Sequence, residues 1–344
     1  MKARWFKKKF QFKQPSGTSR GVLHDKTSYF ILINDNQKIG IGECGLLPGL
    51  SVDNLAAYEQ CLNMICANIK QVQTSQLTNF PSIRFGIEMA RISLNHIDPF
   101  CIYDTPFFRG TKKLDINGLI WMGDFDFMAQ QIEEKINKGF RCIKLKIGAI
   151  NFEDELTLIK KIRKQYGVED IEIRVDANGA FTPDEALSKL NQLAACKLHS
   201  IEQPIAAGQW EQMAVLCEQT PLAIALDEEL IGIHHQELRN QMLSTIKPQF
   251  LIFKPSLIGG FEMTEAWIQL CKKHHIGWWL TSALESNIGL NAIAQFCDKW
   301  QVSIPQGLGT GQLYTNNIAS PLFIHDGQIG YNSDQNWDWS WIAQ

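Results

Sequence analysis

Short apolar runs alternate with stretches of helical periodicity over most of the chain, and the switch between the two periods defines the predicted elements. Beyond Leu114, eight apolar runs stand out, at residues 116–121, 142–147, 171–176, 199–202, 222–227, 250–254, 276–282 and 302–305. Each is followed by roughly ten to fifteen residues whose apolar positions recur at helical spacing, the pattern of parallel βα units. A repeat of about 25 residues per unit suits an undecorated barrel better than an open sheet. The spacing therefore predicts an α/β architecture, a modified (β/α) TIM-type barrel over residues 111–312.

Residues 1–110 follow a different rule. Aromatic and basic residues alternate along 4–13, as on a strand with two unlike faces, before Pro15, Gly17 and Gly21 predict a loop over 14–21. Two further strands are predicted at 27–33 and 38–43, joined by Asn34, Asp35, Asn36 and Gln37, whose side chains suit a turn. A loop over 42–49 comes next, then helices within 52–97, with Pro81 and Ser82 opening the stretch 83–90. The pattern is that of an α+β capping domain, and the tail 313–344 is expected to pack back on it.

Composition narrows the class. A chain of 344 residues has room for two domains, and 45% hydrophobic with 20% charged residues matches a globular enzyme rather than a disordered or fibrous chain. A formal charge of −3 gives no field that favours a polyanion, so nucleic acid is not an expected partner. The nine scattered cysteines include no CxxC pair, which argues against structural zinc or a disulfide framework and for a reducing, cytoplasmic setting. No run approaches the roughly 18 uninterrupted apolar residues of a membrane span. The oligomeric state is left open.

Charged residues fall where the predicted strands end. Lys144 and Lys146 close the second strand, Arg174 and Asp176 the third, Glu202 the fourth, Asp227 the fifth and Lys254 the sixth, with 25 to 30 residues between successive ends. In a barrel the C-terminal strand ends share one mouth. Asp176, Glu202 and Asp227 converge there, and three carboxylates so placed need a cation between them. All-oxygen ligation selects a hard divalent ion, Mg²⁺ first. Lys144 and Lys146 share a strand face roughly 7 Å apart. Their repulsion, about 2.4 kcal/mol at an effective dielectric near ~20, would partly neutralise one of them and make it a general base. With Lys254 on the far side, the arrangement suits removal of a proton α to a carboxylate in a small substrate.

These residues resemble the enolase superfamily over nearly the whole chain, in the muconate-lactonizing-enzyme-like branch with Lys-x-Lys after the second strand and a lone lysine after the sixth. The resemblance implies that Lys146 takes the α-proton and that Asp176, Glu202 and Asp227 hold Mg²⁺, for which Mn²⁺ can substitute. Lys254 would steady the enediolate electrostatically. Lys144 and Arg174 match supporting positions near the substrate carboxylate and the base. Ser282, in the loop 281–289, and Gly49, in a capping loop over 42–51, are implied substrate contacts, and 15–21 matches a second lid.

The implied reaction is loss of water from a succinylated hydroxy-cyclohexadiene carboxylate of menaquinone synthesis, leaving an aromatic ring, with Lys146 returning its proton to the departing hydroxyl. N-Succinylamino-acid racemisation, with Lys254 as second base, is the alternative; a barrel that only binds small carboxylates is the non-enzymatic one. Residues 303–311 lack the Asp-x-Asp of dipeptide epimerases in this branch, and Thr281 and Ser282 stand where mandelate-racemase-type relatives need a histidine. Gly259-Gly260 reads as a tight turn rather than a phosphate loop, the doublets His234-His235 and His274-His275 as helix-end residues, and the tail tryptophans as packing residues. Glu228 either orients a lysine or begins a helix; Glu285 is unassigned.

Overall fold

A computed structural model describes residues 1–18, 21–148 and 150–342. The cap opens with Lys2–Thr18 (β1), Gly21–Asp35 (β2) and Lys38–Cys44 (β3), an antiparallel sheet in that order. The predicted loop over 14–21 is therefore mostly strand: β1 continues past Lys13 with a register shift between Gln11 and Ser16 that absorbs the break in alternation. Of the predicted second lid, residues 19 and 20 lie outside the described residues. Alternation divides the sheet between two cores. Ile31 and Ile33 face the helices Tyr58–Ala67 (α1) and Pro81–Ser93 (α2), whereas Phe10, Phe12 and Phe30 join the larger core of barrel and tail. Strand β3 lies so close to α2 that a Cβ on Gly42 would stand 1.8 Å from the Gly86 carbonyl oxygen.

Leu114–Asp115 (β4) leads into the barrel, whose units are Gly118–Ile120 (β5) with Phe125–Asn137 (α3), Cys142–Lys146 (β6) with Phe152–Gln165 (α4), and Glu172–Asp176 (β7) with Pro183–Ala194 (α5). Ser200–Glu202 (β8) with Trp210–Gln219 (α6) and Ile224–Leu226 (β9) with Gln236–Ile246 (α7) come next. Phe250–Phe253 (β10) is followed by the short Pro255–Ile258 (α8) and Gly260–His274 (α9), and Gly277–Leu280 (β11) by Asn287–Lys299 (α10). The seven strands β5 to β11 form one parallel sheet in sequence order.

The eighth predicted strand, 302–305, is not a strand. Pro305 has no N–H to give to a ladder, and the closure falls on the next two residues, where Gln306 bridges Ile116 and Gly307 bridges Thr281. The Gln306 side chain substitutes for a missing backbone acceptor, taking the Leu280 N–H at 2.8 Å.

The tail holds a hairpin that the reading missed, Leu322–His325 (β12) and Gln328–Tyr331 (β13), which adds to β4. Its signal was present: Asp326-Gly327 between alternating apolar residues, with φ of 50° and 67°, is a hairpin turn. Beyond it the tail lies against the cap, Trp341 between Phe6 and Phe30 at 5.4 and 5.1 Å and Trp337 stacked on Phe100 at 4.2 Å. No helix among the described residues is long and apolar enough to cross a membrane, and all nine cysteines are free thiols.

Gly259-Gly260 is a turn, and the helix N-terminus behind it is filled from the cap. Glu88 of α2 accepts the backbone N–H of Phe261 (2.6 Å) and Glu262 (3.3 Å) and pairs with Arg84. A Cβ on Gly260 would stand 2.2 Å from the Glu88 carboxylate. The histidine doublets lie at the ends of α7 and α9 and share no metal-binding group among the described residues.

Burial pushes the Glu88 carboxyl up to about 7, against the pull of Arg84 and the two N–H groups. The unfolded chain ionises this group near 4.5, the folded chain near 7. Its contribution to stability is therefore full below about 4.5 and is lost as pH rises through that window. Glu88→Gln, neutral throughout, should lose less stability than the parent between pH 5 and pH 8 in urea unfolding; equal losses would remove Glu88 as the titrating group.

Candidate active site

Register across the parallel sheet decides which side chains meet. Lys146 lies opposite Asp176 and Asp176 opposite Glu202, so one row at the C-terminal edge carries a lysine and two carboxylates. Asp227 and Lys254 are the first residues beyond β9 and β10. Asp176, Glu202 and Asp227 are 0%, 2% and 1% exposed, with the three lysines against them. Lys146 Nζ donates to Asp176 Oδ2 (2.5 Å) and Asn178 Oδ1 (2.8 Å). Lys144 Nζ reaches the same Asp176 oxygen at 2.9 Å and also donates to Glu202. Lys254 donates to Asp227.

The predicted repulsion within Lys-x-Lys is thus answered by Asp176 Oδ2, which stands between the two ammonium groups. Lys144 is raised rather than lowered: burial pulls it down, but Asp176 and Glu202 together outweigh burial. Lys254 is raised too, against burial, by Asp227, Glu202 and Glu228. Burial alone would push Asp176 up, yet Lys144 and Lys146 hold it well below the usual carboxylate range.

Carboxylate oxygens of Glu202, Asp227 and Glu228 lie within 4.8 Å of one another, the one set among the described residues with the spacing to share a metal ion. Asp176 is tied to this set through Lys144. Glu202 Oε1 is buried with no hydrogen-bond partner, an orphaned acceptor that a cation would satisfy. A donor set made wholly of carboxylates fits a hard divalent ion. Of the two readings left open for Glu228, the structure shows the second in part: it starts the short turn Glu228–Leu230, while its carboxylate receives the Asn178 amide at 2.9 Å.

Lys144, Lys146, Lys254 and Asn178 border a cavity of about 240 Å³. Its other walls are mostly apolar, with Leu23 and Leu47 from the cap and Trp121 and Leu284 from the barrel, interrupted by Asn117, Thr281, Ser282 and Thr310. Gly49 lines it with φ +82°, a conformation that excludes most side chains, and Ser282 lines it with its hydroxyl 2.5 Å from that of Thr310. A small, ringed carboxylate with its acid group toward the lysines matches this distribution.

The sequence compares with known proteins in the same sense. Residues 127–330 match the family model Enolase C-terminal domain-like, and residues 10–94 match MenC, N-terminal domain. The o-succinylbenzoate synthase of Desulfotalea psychrophila is 44% identical, over 93% of this chain and 96% of that one. The chain belongs to the o-succinylbenzoate synthase family. Members are hydro-lyases of the enolase superfamily. The crystal structure of MenC from the same organism superposes with a TM-score of 0.86 at 39% identity, covering 96% of this chain and 99% of that chain. The o-succinylbenzoate synthase of Thermosynechococcus elongatus, solved with Mg in its active site, shares the fold at a TM-score of 0.71 and 22% identity, covering 89% of this chain and 92% of that one.

Within this family fold, Arg174 does not line the cavity, and neither do the buried carboxylates Asp176, Glu202 and Asp227. It lies opposite Lys144, bonded to Glu172 (2.7 Å) and the Pro305 carbonyl (2.9 Å), with its guanidinium 4.2 Å from the centre of the Trp279 ring. There it braces the residues that close the barrel. Three wall groups escaped the sequence reading. Asn178 was signalled by Asp-x-Asn at a strand end and takes φ 46°, which asparagine tolerates. Trp121 was signalled by its place at the end of the first predicted strand; Thr310 carried no signal, because only the fold brings it to Ser282. Arg174→Lys, which loses the fork and the ring stack, should lower stability by about 2 kcal/mol while KM stays within about twofold; a raised KM at parental stability would return Arg174 to the substrate.

Proposed function

We propose that the chain converts 2-succinyl-6-hydroxy-2,4-cyclohexadiene-1-carboxylate to 2-succinylbenzoate and water, a step of menaquinone synthesis, with Lys146 as the acid–base group. What supports this most is the convergence of three lysines on buried carboxylates at one end of a mostly apolar cavity. Lys144 and Lys254 are fixed as cations by the carboxylates beneath them. Lys146, which borders the cavity and is held by Asp176 and Asn178, is the lysine we assign to proton traffic.

Its amine removes the proton from the ring carbon that bears the carboxylate, and the freed electron pair spreads into that carboxylate. Lys254 stays charged and opposes the growing negative charge. The electron pair then forms a ring double bond to the neighbouring carbon as its hydroxyl leaves, protonated by Lys146 from the same face. Water departs and the ring is aromatic. Glu202, Asp227 and Glu228, with Asp176 beside them, are assigned to a divalent cation, Mg²⁺ with Mn²⁺ as substitute, which when bound would supply positive charge for the substrate carboxylate. The free thiols support a reducing compartment, the cytoplasm.

Racemisation of an N-succinylamino acid is the second reading, favoured by one observation: Lys146 and Lys254 both border the cavity, from opposite ends of the carboxylate group.

With Mg²⁺ and the hydroxy-cyclohexadiene substrate, the protein should generate the ultraviolet signal of an aromatic product, and Lys146→Ala should lower the rate on the order of 10³-fold. No aromatic signal from the parent, together with rapid inversion of an N-succinylamino acid, would establish the racemase instead. In calorimetry, Glu202→Gln should weaken Mg²⁺ binding by at least about tenfold, and unchanged affinity would take Glu202 out of the cation site.

A further inference from the structure

Three ionisable side chains outside the reaction centre are buried where cap meets barrel. Lys26 on β2, Glu43 on β3 and Glu285 in the loop after β11 are 3%, 0% and 0% exposed. Charges so placed persist only when held by partners. Glu43 accepts the N–H of Ser286 (2.9 Å), the Ser286 hydroxyl (2.6 Å) and the N–H of Gly289 (2.9 Å), closing the start of α10 from the cap side. Glu285 accepts the Ser256 hydroxyl (2.5 Å) and the Ala283 N–H (2.6 Å). Lys26 Nζ donates to Ser28 Oγ at 3.3 Å; burial pulls its ammonium down, and the charges of Glu43 and Glu285 act against that pull.

From each of these residues the chain runs directly into a wall of the cavity. Leu23 precedes Lys26 on the same strand, Leu47 and Gly49 follow Glu43 through Gly45, and Ala283 and Leu284 adjoin Glu285. Little slack exists at the junction: a Cβ on Gly45 would stand 2.9 Å from Glu285 Cγ, and one on Gly289 2.7 Å from Glu285 Cβ. Leu284 is in the left-handed region at φ 62°, and its carbonyl accepts the Tyr314 hydroxyl at 2.7 Å. A bulky residue keeps such a backbone only where its surroundings over-determine it.

We propose that Lys26, Glu43 and Glu285 are positioning residues, a buried ionic cluster that fixes the wall segments 21–23, 47–50 and 282–284 against one another and so sets how tightly the non-reacting end of the substrate is gripped. Glu285 holds the wall directly through the Ala283 N–H, Glu43 holds the start of the helix that follows the same loop, and none of the three bonds Lys144, Lys146 or Lys254, so the cluster governs binding and substrate selectivity rather than proton transfer. The kinetic arm of the test rests on the dehydration reading; the exchange arm does not.

Lys26→Met, Glu285→Gln and the double variant separate the possibilities. On the Mg²⁺-loaded full chain with the hydroxy-cyclohexadiene substrate, each single change should raise KM about tenfold and leave kcat within about threefold. The double variant should be no worse than the poorer single one, because removing both charges leaves neither unpaired. Without substrate, amide hydrogen exchange over residues 45–51 should quicken at least about tenfold in each single variant; this needs no turnover, so a failed dehydration assay leaves it intact. Multiplying KM effects, losses confined to kcat, or parental exchange in a folded single variant would overturn the cluster's role. Should Lys26→Met not fold, the exchange of Glu285→Gln decides.

Discussion

Buried negative charge at the barrel mouth is the constraint on which the rest of the site depends. Two like charges about 4 Å apart repel by about 4 kcal/mol at an effective dielectric of ~20. Asp176, Glu202, Asp227 and Glu228 are all buried in one place, so cations must be placed among them with equal accuracy. Parallel register supplies that accuracy, since Lys146, Asp176 and Glu202 share a row and each following strand end adds one charge. Lys144 and Lys254 are consequently locked as cations by the carboxylates they answer. Chemistry at the mouth is a by-product of this balance: a carboxylate substrate enters a place already built to hold negative charge.

A barrel mouth so charged would be open to water without a cap, and the cap is fastened by the same kind of physics. Two of its glutamates are inserted at the N-termini of two barrel helices, Glu88 at α9 and Glu43 at α10, where their oxygens accept N–H groups that the helices leave unpaired. Glycines at the contacts let the elements close. The tail adds aromatic weight to the joint, with Tyr314 and Trp341 laid against the inner face of the cap sheet. The wall segments of the cavity hang from these fixed points, which is why residues far apart in sequence present one apolar surface.

Much of this was legible in the chain. The strand ends at Lys146, Asp176, Glu202, Asp227 and Lys254 were readable because a parallel strand is an apolar run and a charge at its end breaks the run. The closure of the barrel was not, because Gln306 does with its side chain what a strand does with its backbone. The hairpin at Asp326-Gly327 was readable and was passed over, its strands being short beside a tail rich in tryptophan. Arg174 shows the other limit: alternation puts it on the inner face with Asp176, but only the fold shows its side chain turned to the Pro305 carbonyl while Lys144, its partner in register, lines the cavity.

The sequence by itself determined the architecture, the order of charges around the mouth and the family, since these follow from periodicity and from residue types at repeating positions. Tertiary structure alone set the surroundings of Lys144, because Asp176 and Glu202 reach it from 32 and 58 residues away along the chain and raise it against burial, reversing the effect expected from its neighbour Lys146. It also decided which carboxylates gather closely enough for a metal, and which buried charges tie the cap to the walls. Electrostatic energy depends on distance in space and on burial, and neither quantity is written in the spacing of residues along a chain.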